Sequence, residues 1–381
     1  MKIGILTYHF SNNYGALFQA YGLRKWLLEQ GHEAEFVNYQ PEHVESGGNI
    51  SLSKLFSLAT VKIIFLKLIN IKEALFGNKD QKDGFKLFKT DVLGIDDRFI
   101  YKSLEELNRA NLDYDLLICG SDQIWNPSDQ YGIDPVYFLD FKTSKTAKKI
   151  SYAPSFGRST IPDKFTSEIK ILLYKLDAIS IREESGQALI KRIAGLDAAL
   201  VPDPTVLVSD YKAIMQEYPL VNYEDNYLFC YYLRSRENIG ETAEYIANVN
   251  SLNLYSPHNP HRRWKEVGKT VYPSPGQWLS LLYNAKFVVT NSFHGTMLSI
   301  LLNKPFVVVG IGGERAKYNE RALNILKQCN LEHRFTQEFN QEQIDKLITE
   351  EIDWLSLNEK IDKLRFQGVD YLLKNLELEY E

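Results

Sequence analysis

KIGILTYHFSNNYGALFQAYGLRKWLLEQGHEAEFVNY, residues 2–39, opens on the apolar run Lys2–Thr7, which predicts a short strand. The polar segment Ser11–Ala16 predicts a loop, and the pattern from about Ala16 to Gln30 predicts a helix that Gly31 ends. Glu33–Tyr39 predicts a second strand. Strand, glycine-containing loop, helix and strand form a βαβ unit, in which ligands bind outside the carboxyl ends of the strands. The loop lacks GxGxxG, so no dinucleotide fingerprint is present.

The same alternation continues outward. Strands are predicted at Tyr114–Cys119, Lys149–Ala153, Asp177–Ile181 and Ala199–Val201, with helices near Lys164–Leu176 and Glu183–Ile193. A second set has strands near Tyr227–Leu233, Leu252–Tyr255, Lys286–Thr290 and Pro305–Val309. Its helices lie near Ile239–Val249, Gly276–Asn284, Thr296–Asn303 and Tyr318–Cys329, and Ser274-Pro275 offers a hydroxyl cap with proline at the first helical position. Two doubly wound α/β domains follow, with catalysis expected in a cleft between them. We place the first at 1–210, with a helical insert at about 45–110, and the second at 211–381, ending in charged C-terminal helices.

A length of 381 residues suits two such domains. The balance of 44 Lys+Arg against 49 Asp+Glu, net −5, argues against a dedicated nucleic-acid binder. Cys119, Cys230 and Cys329 each sit in an apolar stretch without metal-ligand spacing, which predicts buried thiols in a reducing compartment. The N-terminus runs directly into a strand and has no secretory signal pattern, so the expectation is a cytoplasmic protein. Residues 51–76 are apolar but carry Lys54, Lys62, Lys67 and Lys72, too many lysines to span a bilayer. They suit either a helical hairpin capping the first domain or a peripheral contact with an anionic membrane at the inner face.

Three segments place chemical groups just beyond a strand. Val288–Thr296 puts His294 between a strand end and a helix start, where backbone N–H groups and the helix dipole favour an anion. Such a histidine can bind phosphate or carboxylate, or act as general acid or base, and Ser292, Gly295 and Thr296 surround it. Gly120–Asn126 supplies Ser121, Asp122, Gln123 and Trp125, a carboxylate, an amide and an indole that suit a sugar; the competing role for Asp122 is an Asx turn or cap. Arg182 follows the next strand and can clamp a carboxylate or phosphate bidentately, or pair with Glu183 or Glu184. Asp203 lies in a rigid Pro-Asp-Pro turn, where a structural role competes with a catalytic one. The basic loop His258–Lys265 brings Arg262 and Arg263 within reach of a phosphate or sugar. No P-loop, HExxH, GxSxG or EF-hand pattern appears, and no metal site is expected.

Taken in order, seven segments resemble the polysaccharide pyruvyl transferase family. They are Asn13-Tyr14-Gly15-Ala16 with Gln19-Ala20, Gly120–Asn126, Ser151–Gly157, Ile181–Ser185, Asp203-Pro204-Thr205, Asn291–Thr296 and Asn319-Glu320-Arg321. The resemblance implies a GT-B-like pair of Rossmann-type domains, the first on the acceptor side and the second on the donor side. It implies transfer of a pyruvyl group from phosphoenolpyruvate to two hydroxyls of a sugar, lipid-linked in some cases, giving a cyclic ketal without a metal or other cofactor. Many relatives carry arginine where this chain has Ser292. The resemblance then leaves Arg182, Arg262, Arg263 or Arg315 to supply the missing charge, or a different donor. It makes His294 the general acid, Arg182 the donor clamp and Asp122 the acceptor-hydroxyl contact or base. Asn13, Tyr14, Gly15, Ser121, Gln123, Trp125, Asp203, Arg262, Arg263, Ser292, Gly295, Thr296 and Arg321 become binding positions. A nucleotide-sugar glycosyltransferase of the same fold and a non-catalytic sugar-binding homologue are the alternatives.

Overall fold

The computed structural model describes residues 1–46, 64–65, 67–69, 71–72, 75–128, 131–220, 223–233, 238–258 and 266–376. The chain parts into two compact units. The first comprises 1–77, 86–208 and 364–381, and the second 78–85 and 209–363.

The first unit is built on a parallel sheet of β1 (Lys2–Leu6), β2 (Glu33–Phe36), β3 (Leu116–Cys119) and β4 (Lys148–Ser151), in the order β2-β1-β3-β4. The Ile3–Leu116 and Leu6–Cys119 partners set the β1–β3 register. Beyond β4, the chain adds the short parallel pair β5 (Ser180–Ile181) and β6 (Ala199–Leu200). The order of winding reverses between β1 and β3, so the loops that follow these two strands flank the switch point where open α/β sheets bind ligands. Asn13 caps the helix Tyr14–Glu29, its side-chain oxygen accepting the Ala16 N–H. That helix lies close against the turn Pro204–Leu207, and a Cβ on Gly22 would run into the Pro204 carbonyl oxygen. Ile3, Ile5, Leu116, Leu117 and Ile118 have no exposed surface, as expected of strands covered on both faces.

The second unit carries six parallel strands, β7 (Tyr227–Tyr231), β8 (Asn253–Pro257), β9 (Lys269–Val271), β10 (Phe287–Thr290), β11 (Phe306–Val309) and β12 (Phe335–Thr336). Their order is β12-β11-β10-β7-β8-β9. Counted from the first strand of the unit this is 3-2-1-4-5-6, the Rossmann order, with its switch point between β7 and β10. β9 and β12 are short strands that the hydropathy pattern does not mark. Ser274 forms a full capping box with Gln277 at the start of the helix Pro275–Asn284.

The last helix, Trp354–Leu376, passes from the second unit into the first. The main break falls at 208/209, and the residues from 364 onward belong to the first unit for reasons local to it. Arg365 Nε donates to the Val206 carbonyl (2.8 Å), and Tyr371 Oη donates to the Ser151 carbonyl (3.0 Å). Gly368 sits so near the Tyr152 hydroxyl that a side chain would collide with it. Within the expected insert, the described residues form helices Lys79–Leu87 and Leu104–Ala110. Residues 47–63, which include the first half of the lysine-bearing segment with Lys54 and Lys62, lie outside the described residues. Among the described residues no helix is long and apolar enough to cross a membrane. Cys119, Cys230 and Cys329 are all buried thiols, and burial pushes Cys329 up to about 12.

Candidate functional site

In the second unit the ends of β7, β10 and β11 are tied together by side chains. Thr290 Oγ1 donates to the Tyr231 carbonyl (2.6 Å) and accepts the Ser292 N–H (3.1 Å), joining β10 to β7 beyond the last ladder bond. Asn291 meets the Leu233 backbone on both sides, accepting its N–H (2.7 Å) and donating to its carbonyl (3.3 Å). Asn319 treats Ile311 in the same way, at 2.8 and 3.0 Å. Two amide side chains thus stand in for missing strand partners, which fixes irregular loops at low cost in buried polar groups.

His294 sits inside this frame, 6 % exposed, in the first turn of the helix Phe293–Leu301. The helix starts at Phe293 and not at the expected Thr296, because Ser292 is its cap and accepts the Gly295 N–H (3.3 Å). The hydroxyl at position 292 is therefore occupied in structure, and the Gly295 amide is taken with it. Thr296 is wholly buried and returns its hydroxyl to the Ser292 carbonyl (3.0 Å), and a Cβ on Gly295 would strike Thr290 Oγ1. These two residues shape the loop and present no side chain to a ligand. The Phe293 ring lies 5.0 Å from the His294 ring, and the Arg321 guanidinium stands 6.0 Å from the Phe293 ring. An imidazole in the first turn of a helix and an arginine thus both border the Phe293 ring near the switch point. That set can hold an anion and deliver a proton to it.

In the first unit, the β1 and β3 ends are knitted by Gln19. Its Nε2 donates to Thr7 Oγ1 (2.8 Å), and its Oε1 accepts the Ser121 N–H (3.0 Å). Ser121 is fully buried, and its hydroxyl donates to the Ala153 carbonyl (2.6 Å). Next to it, Arg182 Nη1 donates to Asp203 Oδ2 at 2.6 Å and Nε to Glu183 Oε1 at 3.2 Å. Burial alone would lower the guanidinium, but the carboxylates of Glu183, Asp203 and Asp122 outweigh it and raise it. Asp203 also accepts the Thr205 N–H (3.0 Å) and hydroxyl (2.8 Å). The geometry therefore favours the pairing alternative for Arg182 over the external clamp: two protein carboxylates already hold it. Asp203 is likewise the keystone of a buried turn.

Trp125 follows Asp122 and Gln123 in the same loop. Its ring is 1 % exposed, stacks on Phe138 at 4.7 Å and 5°, and donates its N–H to the Tyr137 carbonyl, so it belongs to the core and not to a sugar platform. Asp122 and Gln123 remain half-buried at the loop surface. Asp122 adopts φ 69° and turns Oδ1 onto the Gln123 N–H (2.8 Å), the expected local turn, while its carboxylate stays within the field of Arg182. Tyr14 and Gly15 are buried in the helix that Asn13 caps. Arg262 and Arg263 lie outside the described residues.

Several further groups near these strand ends escape a reading of the sequence. Gly310-Ile311-Gly312-Gly313 follows β11 beside the His294 loop, and its three glycines after an apolar strand are a readable signal. His9 follows β1, wholly buried, with Nδ1 on the Thr7 carbonyl (2.9 Å) and Nε2 3.1 Å from Asn38 Oδ1. Burial lowers His9 to about 4 against the pull of those two oxygens. His43, Tyr131 and Asp134 gather at the same edge, from segments too distant in sequence to suggest it. Among the described residues, no group of three or more His, Cys, Asp or Glu is placed to hold a metal ion.

Comparison with known proteins places this geometry. The family model of polysaccharide pyruvyl transferases matches residues 13–313. No match was found among curated proteins. Among solved structures, S. aureus MnaA with UDP is similar at a TM-score of 0.51 and 11% identity, covering 100% of this chain and 99% of that one. UDP-GlcNAc 2-epimerase from Methanocaldococcus jannaschii gives 0.48 and 11%, covering 98% of this chain and 100% of that one. Spinosyn forosaminyltransferase SpnP gives 0.42 and 13%, covering 98% of each chain. At such identities the MnaA likeness speaks to the fold alone, an α/β chain with two parallel sheets of the GT-B kind. The family model reaches further, because it takes in all the strand-end segments from Asn13 to the glycine loop after β11: the chain belongs to the polysaccharide pyruvyl transferase family.

Proposed function

We propose that this protein transfers the pyruvyl group of phosphoenolpyruvate to two hydroxyls of a sugar in a cell-surface polysaccharide or its lipid-linked precursor. Phosphate leaves and a cyclic ketal remains. The observation that carries this reading is His294, held in the first turn of a helix at the switch point of a Rossmann-ordered sheet, with Arg321 against the Phe293 ring.

His294 serves as the general acid that protonates C3 of the enol, giving C2 oxocarbenium character. One sugar hydroxyl attacks C2, the C2–O bond to phosphate breaks, and the second hydroxyl closes the ring. One hydroxyl proton balances the one given to C3, and the other leaves with phosphate. Arg321 replaces the charge that many relatives carry at the position of Ser292. In the first unit Asp122 contacts an acceptor hydroxyl, while Arg182 and Asp203 position its loop.

A lipid-linked acceptor fits action at the cytoplasmic face of the inner membrane. The described part of the lysine-bearing segment supports this, because Ile64, Leu68, Ile71 and Leu75 recur at helical spacing and are 44 %, 58 %, 55 % and 69 % exposed, with Lys67 and Lys72 among them. The test is incubation with phosphoenolpyruvate and extracted lipid-linked saccharides, scoring phosphate release and a mass gain on the sugar. His294→Ala should lower turnover by about 10²–10⁴. Full turnover by that variant refutes the assignment, and consumption of a nucleotide sugar in place of phosphoenolpyruvate refutes the donor.

A further inference from the structure

In the first unit, residues 64–65, 67–69, 71–72 and 75–76 are helical, and Ile64, Leu68, Ile71 and Leu75 among them are all exposed. At about 100° per residue these four fall in one stripe about 60° wide. Lys67 and Lys72 lie about 40° beyond its two edges, one on each side. Phe76, 80 % exposed, adds an aromatic ring beside Leu75.

A helical hairpin that capped the first unit would bury this stripe, because an amphipathic helix turns its apolar face to the core it covers. Exposure of all four residues means that the face is made for something outside the chain. The lysines indicate what that is. In a two-fold pair of identical copies, a stripe edged by lysine on both sides sets lysine against lysine. A bilayer carries no such conflict, since anionic headgroups border the acyl chains and lysine stems can lie on hydrocarbon while their ammonium groups meet lipid phosphates. The charge of the whole segment agrees: residues 51–76 contain Lys54, Lys62, Lys67 and Lys72 against Glu73 as the sole acid. Ile64 to Leu75 spans about 17 Å of helix, against about 30 Å of hydrocarbon core, so the stripe suits the plane of the surface and not a crossing.

We propose that this helix docks the protein on an anionic lipid bilayer, with Ile64, Leu68, Ile71 and Leu75 inserted at the headgroup boundary and Lys67 and Lys72 reaching back to lipid phosphates. The inference deepens the pyruvyl-transfer reading by naming the surface on which a lipid-linked acceptor is met, and it rests on that reading for its purpose alone. Docking itself requires neither donor nor acceptor. Apolar insertion supplies the hold, and the flanking cations select anionic over zwitterionic lipid.

Flotation of the full chain with vesicles, in the absence of phosphoenolpyruvate and saccharide, tests it. The chain should float with vesicles of phosphatidylcholine and phosphatidylglycerol, much less with phosphatidylcholine alone, and the bound fraction should fall as salt is raised. Leu68→Ser combined with Leu75→Ser should cut partitioning at least about tenfold. Lys67→Gln combined with Lys72→Gln should cut it about 25-fold on the anionic vesicles, at about fivefold per lysine. Melting temperatures should not move, because the substituted leucines are exposed, and Leu355→Ser, at a comparably exposed leucine outside the stretch, should float like the unaltered chain. The proposal is overturned if the unaltered chain fails to float, if it binds both compositions equally, or if the serine pair still floats. A concentration-dependent dimer in sedimentation that the serine pair dissolves, without flotation, overturns it as well and gives the face to a second copy. Phosphate release is scored separately: a chain that floats yet releases no phosphate from phosphoenolpyruvate with lipid-linked saccharides fails the pyruvyl-transfer reading and keeps the docking face.

Discussion

Removing the carboxylate of Asp203 should unfold the first unit far more readily than its place in a short turn suggests. The Arg182–Asp203 contact is 2.6 Å long, and the two side chains are 4 % and 0 % exposed. Water cannot replace the lost partner, and Glu183 at 3.2 Å holds only the other side of the guanidinium. Breaking a buried pair on one side costs about 3–5 kcal/mol, since it strands a charge in a poorly solvated place. At an m-value of about 3 kcal/mol/M in urea, Asp203→Ala should lower the first-unit midpoint by about 1–1.7 M. Tryptophan fluorescence follows this transition, because Trp26 and Trp125 are both buried in that unit. Arg182→Met made in the Asp203→Ala background should cost little more, giving a coupling of about 2–3 kcal/mol in the double-mutant cycle. A loss below about 1 kcal/mol for Asp203→Ala, or strict additivity of the two changes, would falsify the ion-pair account. Arg182 would then return to candidacy as an open clamp.

Other outcomes follow from the same contacts. Gly295→Ala should destabilise the second unit by about 1–3 kcal/mol, read as a lower melting temperature, because the new methyl meets Thr290 Oγ1 and comes within 3.0 Å of Tyr231 Cδ1. Asn319→Leu strands the backbone N–H of Ile311 and leaves its carbonyl only the longer bond from Gln337 Nε2 (3.4 Å), and a loss of about 1–3 kcal/mol in urea titration is expected; a change under about 0.5 kcal/mol would count against the clamp. His9, held near 4 against an ordinary 6.5, contributes a pH-dependent penalty: the native state is favoured fully above pH 6.5, and that advantage is lost as pH falls toward 4, by up to about 3 kcal/mol. Asp134, raised to about 6, works in the opposite sense, its contribution lost as pH rises from about 4 to 6. The first-unit urea midpoint should therefore fall from pH 7 to pH 4.5 in the native chain and fall less in His9→Asn. Identical slopes in the two proteins would remove His9 from the account.

Much of the fold was legible in hydropathy. Apolar runs such as Phe287–Thr290 and Phe306–Val309 can hardly be anything but covered parallel strands, and the helix Ile239–Val249 was marked at both ends. The strand-end loops were legible for the same reason, since βα units place their chemistry there. What escaped was whatever depends on partners far along the chain. Arg182 and Asp203 each stood out alone, yet nothing local says that one neutralises the other. Trp125 looked like a sugar platform because an indole in a polar loop reads the same whether or not Phe138 covers it. The Ser292 hydroxyl was legible as a missing charge and not as the cap of Phe293–Leu301, so the helix was started three residues late. β9 and β12, at three and two residues, are too short to carry a period.

The last helix bears on how the protein is made. Translation proceeds at about 5–20 residues per second and domains tend to fold as they emerge. Here the first unit includes residues from 364 onward, which supply Arg365 and Tyr371 to bonds with Val206 and Ser151. The N-terminal unit is therefore begun first on the ribosome and closed last, after the whole of the second unit has been synthesised. Until then the buried surface around Gly368 and Leu372 lacks its cover, so nascent chains arrested before residue 364 should be the ones that chaperones retain.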